Sequence, residues 1–303
     1  AHHLFLGKER SPMKKTLTVF AAVLGGIFVL LSVLDTSDYA LEKRIWRVQQ
    51  QFDRMAKDPK VVPEKEFEDI VVMYRNIIRH YPDSELTPRV HLQIGRTYVL
   101  KEDYAKARQG FQEVIDQYPG DPFLGADALL SIGNTYEREG DHAKAVQTYQ
   151  RVTDEYGKTE LGLNMPLYIA NYYLRLNQRT ESATALQDAV NFYKRISREN
   201  PQSPLEFNAL RLLVTTYFAQ EHWKDGVNIL SRLLLEYPSR EYLTPERVNL
   251  IVKLLNTVSV TKLQDYDISI NIYQTFIAHN PDHRLNSYLL EVIKSLQLLK
   301  DQK

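Results

Sequence analysis

Cysteine is absent from the 303 residues, so the chain has no disulfide, thiolate metal site, cysteine nucleophile or lipidated N-terminal cysteine. Tryptophan is nearly absent, with 2 residues against 19 tyrosines. A tyrosine-rich chain suits helix–helix seams with a wet edge, because the ring packs while the hydroxyl reaches water. Neither charge sign is in excess: 38 basic and 38 acidic side chains cancel. Nucleic-acid binding normally needs a basic surplus to neutralise phosphates, so none is expected. Catalytic signatures are missing too. There is no H-E-x-x-H, G-x-S-x-G or G-x-G-x-x-G. Gly157-Lys158-Thr159 lacks the other glycine of a phosphate loop, since Val152 stands five residues before Gly157. His279 and His283 have a metal-ligand spacing, but Pro281 between them keeps them off one helix face. The carboxylates Asp154, Glu155 and Glu160 read as helix caps around one turn rather than a catalytic pair. No enzymatic activity, catalytic residue, cofactor, metal or small-molecule substrate is expected.

Thr16–Leu34 is a 19-residue run without a charge. As a helix it spans about 28 Å, close to the hydrocarbon thickness of a bilayer. Lys14 and Lys15 precede it and Asp35 and Asp38 follow. The positive-inside rule then places the N-terminus in the cytoplasm and the remainder across the inner membrane, on the periplasmic side of a single-pass protein. A cleaved signal peptide would have an apolar region of only about 7–15 residues and a small-x-small cleavage site, which Ser32–Ala40 offers poorly. The expected organisation is a tail over 1–15, a transmembrane anchor over 16–34 and a connecting helix and linker over 35–65. The remainder, 66–303, reads as a helical solenoid. Residues 1–12 resemble neither a domain nor a targeting signal and are left out of the fold reasoning.

Past residue 60 one pattern recurs. It closes at Pro82, Pro119, Gly157, Pro201, Pro238 and Pro281, at steps of 37, 38, 44, 37 and 43 residues. Self-similarity at this period marks a solenoid of helical hairpins. Apolar residues recur at helical spacing in the second helix of each unit, as in Ala107, Phe111, Val114 and Ile115. The proline or glycine then stops the helix. An all-α fold of five to six units follows, with Leu285–Lys303 as a capping helix whose outer face is expected to be polar. Tyr39–Met55 reads as a long connection from the membrane.

Gly95, Tyr98, Ala107, Phe111 and Pro119 resemble the tetratricopeptide repeat at its five signature offsets, and Gly133, Tyr136, Ala145, Tyr149 and Gly157 repeat them with Gly for Pro. Val214, Tyr217, Gly226, Leu230 and Pro238 keep the spacing. In the third unit Ala170 and Tyr173 start in register, but Ala189, Tyr193 and Pro201 come seven residues late, about two helical turns. The resemblance implies that small residues admit a close helix approach while the aromatic fills the next unit's groove. The short tail, single anchor and repeat domain are similar to bacterial envelope and inner-membrane repeat proteins.

The resemblance further implies a protein-binding concave face formed by the first helices. Its binding positions fall on Arg96, Asn134, Arg138, Asn171, Arg175 and Arg211. Asparagine amides satisfy a peptide backbone and arginines pair with carboxylates. The alternative is that these are ordinary solvated positions. Arg138 and Arg175 are expected to stand clear of the helix seams. The lysine of the family's carboxylate clamp is missing, with Leu130 and Leu167 in its region. Expected partners are other proteins, as peptide segments or complex subunits, and the membrane through Thr16–Leu34. An envelope scaffold or adaptor and a permanent subunit of a larger membrane complex both fit these features.

Overall fold

The structure is a computed structural model that describes residues 38–302 apart from 238 and 240, together with residue 23. The expected span Thr16–Leu34 lies, but for Val23, outside the described residues. Among those described, no helix is long and apolar enough to cross a membrane, and there are thirteen α-helices and no strand. The chain divides into two compact units, residues 1–114 and 115–303.

The first unit contains α1 (Asp38–Lys57), α2 (Glu64–His80), α3 (Thr87–Leu100) and most of α4 (Tyr104–Gln117). Seven-residue spacing puts Leu41, Val48 and Met55 on one side of α1, where they are buried against Phe67, Ile70 and Tyr74 of α2 and Ile94 of α3. The stretch Tyr39–Met55 is therefore a packed helix of the fold and not only a connection. On α4, Phe111 covers Gly95: a Cβ built on Gly95 would lie 2.5 Å from the ring. The Tyr74 ring is fully buried and its hydroxyl has no hydrogen-bond partner among the described residues. Burial pushes that phenol up to about 12, with the Asp53 charge adding to the shift and Arg96 opposing it. An orphaned buried hydroxyl costs stability, so Tyr74→Phe is expected to stabilise the first unit by about 1 kcal/mol. Urea unfolding of the two proteins checks this; a loss of stability would show that the hydroxyl has a use.

In the second unit the hairpins are α5 (Pro122–Glu139) with α6 (His142–Tyr156), α7 (Glu160–Arg175) with α8 (Arg179–Glu199), α9 (Pro204–Ala219) with α10 (Trp223–Glu236), and α11 (Pro245–Thr257) with α12 (Tyr266–His279). The last helix is α13 (Asn286–Asp301). Each helix packs on its successor, and α7 also touches both α5 and α9, so three first helices share one layer. Side-chain caps start these helices where Ser, Thr or Asp precedes the first turn. Asp121 accepts from the amides of Phe123 and Leu124, Thr159 from Gly162 and Ser203 from Glu206.

The turn inside a hairpin follows one rule. A left-handed residue ends the first helix: Glu102 at φ 62°, Gly140 at 80°, Asn177 at 59° and Glu221 at 59°. The next amide donates back to the carbonyl of the signature aromatic, Tyr98, Tyr136, Tyr173 or Tyr217, at 2.8–2.9 Å.

Four details fill in or qualify the expected pattern. The signature aromatic of a second helix covers the small residue of its own hairpin, as Tyr149 does Gly133, and also packs edge-on against Tyr168 and Tyr172 of the next unit's first helix. The late third unit shows where the extra seven residues go: they lengthen α8 to 21 residues, against 15 in α6 and 14 in α10. The outer face of α13 is polar only in part, since Leu290, Leu298 and Leu299 are each at least half exposed beside Glu291, Lys294 and Gln297. The stretched fifth unit contains a π-helical turn, Val258–Lys262, between α11 and α12.

Candidate functional site

The six expected binding residues divide between the two units. Arg96 is on α3 of the first unit, half-buried. The other five are on the first helices of the second unit: Asn134 and Arg138 on α5, Asn171 and Arg175 on α7, Arg211 on α9. All five are exposed.

Two of the five are tied into a seam. Tyr149, fully buried on α6, sends its hydroxyl between the helices to donate to Asn134 Oδ1 at 2.9 Å and Glu137 Oε2 at 2.8 Å. The Tyr168 hydroxyl donates to the same Glu137 oxygen at 3.3 Å, and Arg175 pairs with Glu137 Oε1 at 3.5 Å. The Arg175 guanidinium also lies 5.3 and 5.1 Å from the Tyr168 and Tyr172 ring centres. Tyr172 in turn meets His142 Nδ1 at 2.6 Å. Burial raises the Tyr149 phenol well above the usual tyrosine range, and its bond to the Glu137 carboxylate raises it further. The Tyr168 hydroxyl bond holds the Arg175 guanidinium more firmly protonated.

This knot links α5, α6 and α7 and sets the exposed part of Asn134 and Arg175 in fixed positions. Arg175 therefore does not stand clear of the seams, and replacing it disturbs packing as well as surface charge. The side chains of Arg138, Asn171 and Arg211 have no hydrogen bond or ion pair to other described residues. Their polar groups face water beside the knot, which is what a partner's backbone amides or carboxylates require.

Glu137, Tyr149 and Tyr168 were not among the expected binding residues. One signal was present: Tyr149 stands where the preceding repeat has Phe111, and a buried hydroxyl needs an acceptor. Glu137 is the carboxylate one turn from that seam.

The extra turns of α8 also wall a groove on the second-helix side, of about 630 Å³, with α6 opposite and Pro166, Ile169 and Tyr173 of α7 at its base. Elsewhere the chemistry is plain. Thr159 caps α7 instead of holding a phosphate. His279 ends α12, while His283 sits in the following turn against the Phe276 ring. Among the described residues no group of three or more His, Asp or Glu is placed to hold a metal.

Residues 89–121 and 127–159 each match the tetratricopeptide repeat family model. No curated protein matches the chain. Among solved structures, a tetratricopeptide repeat protein from Parabacteroides merdae is 11% identical with a TM-score of 0.35, over 84% of this chain and 99% of that one. The TPR2AB domain of yeast Sti1, in a pHSP90 complex, is 14% identical with a TM-score of 0.34, over 88% and 86%. BtubC from P. vanneervenii is 13% identical with a TM-score of 0.34, over 87% and 91%. The two matched stretches run from α3 to the end of α6 and contain both small–aromatic pairs, Gly95 with Phe111 and Gly133 with Tyr149. Residues 89–121 and 127–159 of this chain are tetratricopeptide repeats.

Proposed function

We propose that the protein is a membrane-anchored scaffold that presents the first-helix layer α5, α7 and α9 to an acidic segment of a partner protein. One observation carries this reading: Arg138, Asn171 and Arg211 are exposed on touching helices without an internal partner, beside a knot that fixes Asn134 and Arg175. Three arginines favour a segment containing Asp or Glu, and such contacts are screened by salt. The apolar run Thr16–Leu34 supports an inner-membrane anchor with the repeats on the periplasmic side.

The variant that tests the face is Arg138→Glu with Arg211→Glu, because neither side chain is bonded within the fold. Arg175 is unsuitable, for its loss would also open the Glu137 contact. A partner recovered from gently solubilised membranes is expected to bind the double variant about tenfold more weakly, or about 1.4 kcal/mol. The wild-type affinity is expected to fall with added salt. Unchanged affinity together with salt independence would move the binding site elsewhere. Recovery of a fixed stoichiometric set, instead of varied substoichiometric partners, would favour a permanent subunit over an adaptor.

A further inference from the structure

Among the exposed large apolar side chains of the described residues, those of α1 have a distinctive composition. Tyr39 is 70% and Trp46 62% exposed. Lys43, Arg47, Arg54 and Lys57 are exposed as well. At 100° per residue these six fall within an arc of about 100° on one helix face. Leu41, Val48 and Met55 occupy the opposite face and are consumed by the core. Arg44 turns inward over the Tyr81 ring, so it belongs to the fold and not to this stripe. The carboxylates bordering the stripe are Glu42 and Asp53, and Asp53 accepts from Gln49. A chain of zero net charge therefore concentrates four cations and two amphipathic rings along one 20-residue helix.

Tryptophan and tyrosine favour the headgroup level of a bilayer, where the ring is half solvated, and lysine and arginine are drawn to anionic headgroups. The stripe is also placed for this. Thr16–Leu34 ends four residues before Asp38. Four Cα–Cα steps reach at most about 14 Å, so on the anchored reading α1 begins within that distance of the bilayer edge. The helix is about 30 Å long, and lying along the surface it brings all six side chains to the headgroups.

We infer that α1 rests its Tyr39–Lys57 face on anionic phospholipid headgroups, fixing the orientation of the first unit against the membrane. The inference rests on the anchored reading of Thr16–Leu34, and the experiment separates the two. Trp223→Phe leaves Trp46 as the sole tryptophan of the full-length chain. That protein is reconstituted into vesicles of phosphatidylcholine, with or without phosphatidylglycerol, whose acyl chains carry bromine near the headgroup. Trp46 emission is expected to shift to the blue and to be quenched, more strongly with phosphatidylglycerol. Lys43→Glu with Arg47→Glu is expected to abolish the phosphatidylglycerol-dependent part while the protein still floats with the vesicles. Protein that floats but keeps a water-exposed, unquenched Trp46 overturns the inference alone, and a protein surface then becomes the occupant of the stripe. Protein that does not float overturns the anchor and the inference together.

Discussion

Replacing Glu206 with alanine is expected to destabilise the second unit by about 3 kcal/mol, because the hydrogen bonds of a buried carboxylate are lost and the buried Ser197 and Tyr237 donors are left without their acceptor. The carboxylate is 2% exposed at the start of α9. It accepts from Ser197 Oγ at 2.9 Å, the Gln202 amide at 2.6 Å, the Tyr237 hydroxyl and Arg232 at 2.6 Å. These donors come from α8, the turn after it, and α10 with its terminus, so one side chain joins three helices. Without it, four donors lose their acceptor at once, and two of them have no route to water. Glu206→Gln keeps one acceptor oxygen but loses the charge, and is expected to fall between the wild type and the alanine variant.

The same residue gives a pH dependence. Burial pushes its carboxyl up, but the bonds from Tyr237, Gln202 and Ser197 and the Arg232 charge outweigh that, so the pKa lies below the ordinary glutamate value. A carboxyl with a depressed folded-state pKa contributes its stability in full above the unfolded-state value of about 4.3. The contribution is lost as pH falls through the folded-state value. Urea unfolding at a series of pH values should show a constant gap between wild type and Glu206→Ala above about pH 4.3, closing below it. A gap that stays open in acid would mean that packing, and not the charge, sustains this junction.

Gly133→Leu is the second large effect. A Cβ at that position would lie 2.4 Å from the Tyr149 ring, and the ring cannot move aside because it is fully buried and its hydroxyl is held by Asn134 and Glu137. Overpacking of this kind costs about 1–3 kcal/mol, and the pinned ring places this case at the upper end. Repeat stacks distribute stability over neighbouring interfaces, so the damage is expected as lost hydrogen-exchange protection in α5 to α7 before α9 to α12 is affected. Gly120→Leu is the matched control, since nothing lies within 4 Å of its Cβ position. Equal protection in the two variants would show that the small residue at 133 is not required for close approach.

The hairpin arrangement was legible because its signals are local. Proline and glycine stop a helix by themselves, and the five signature offsets need no knowledge of the partner helix. The seven-residue delay before Ala189 likewise pointed to two extra turns, which α8 contains. What escaped depends on who meets whom. The Tyr149–Glu137–Arg175 knot joins residues 12 and 38 positions apart, and nothing in helical periodicity says which way a hydroxyl turns. The outer face of α13 was misjudged in part, for a related reason. Leucine occurs on more than one side of that helix, and only the packing of Leu289, Ile293 and Leu296 shows which side is spent. The π-turn at Val258–Lys262 has no residue signature, although the stretched step of 43 residues marked its place.

The length of the insertion in α8 carries a consequence of its own. Seven residues advance an α-helix by 700°, only about 20° short of two full turns. Ala189, Tyr193 and Ile196 therefore meet their neighbours at nearly the angle they would have without the insert, and all three are buried. An insert of five would turn the same residues by about 140° and carry the apolar stripe toward solvent. Length change in such a helix is tolerated in steps of whole turns. Within that rule the outer wall of the second-helix groove can grow or shrink while the layer of first helices behind it stays as it is.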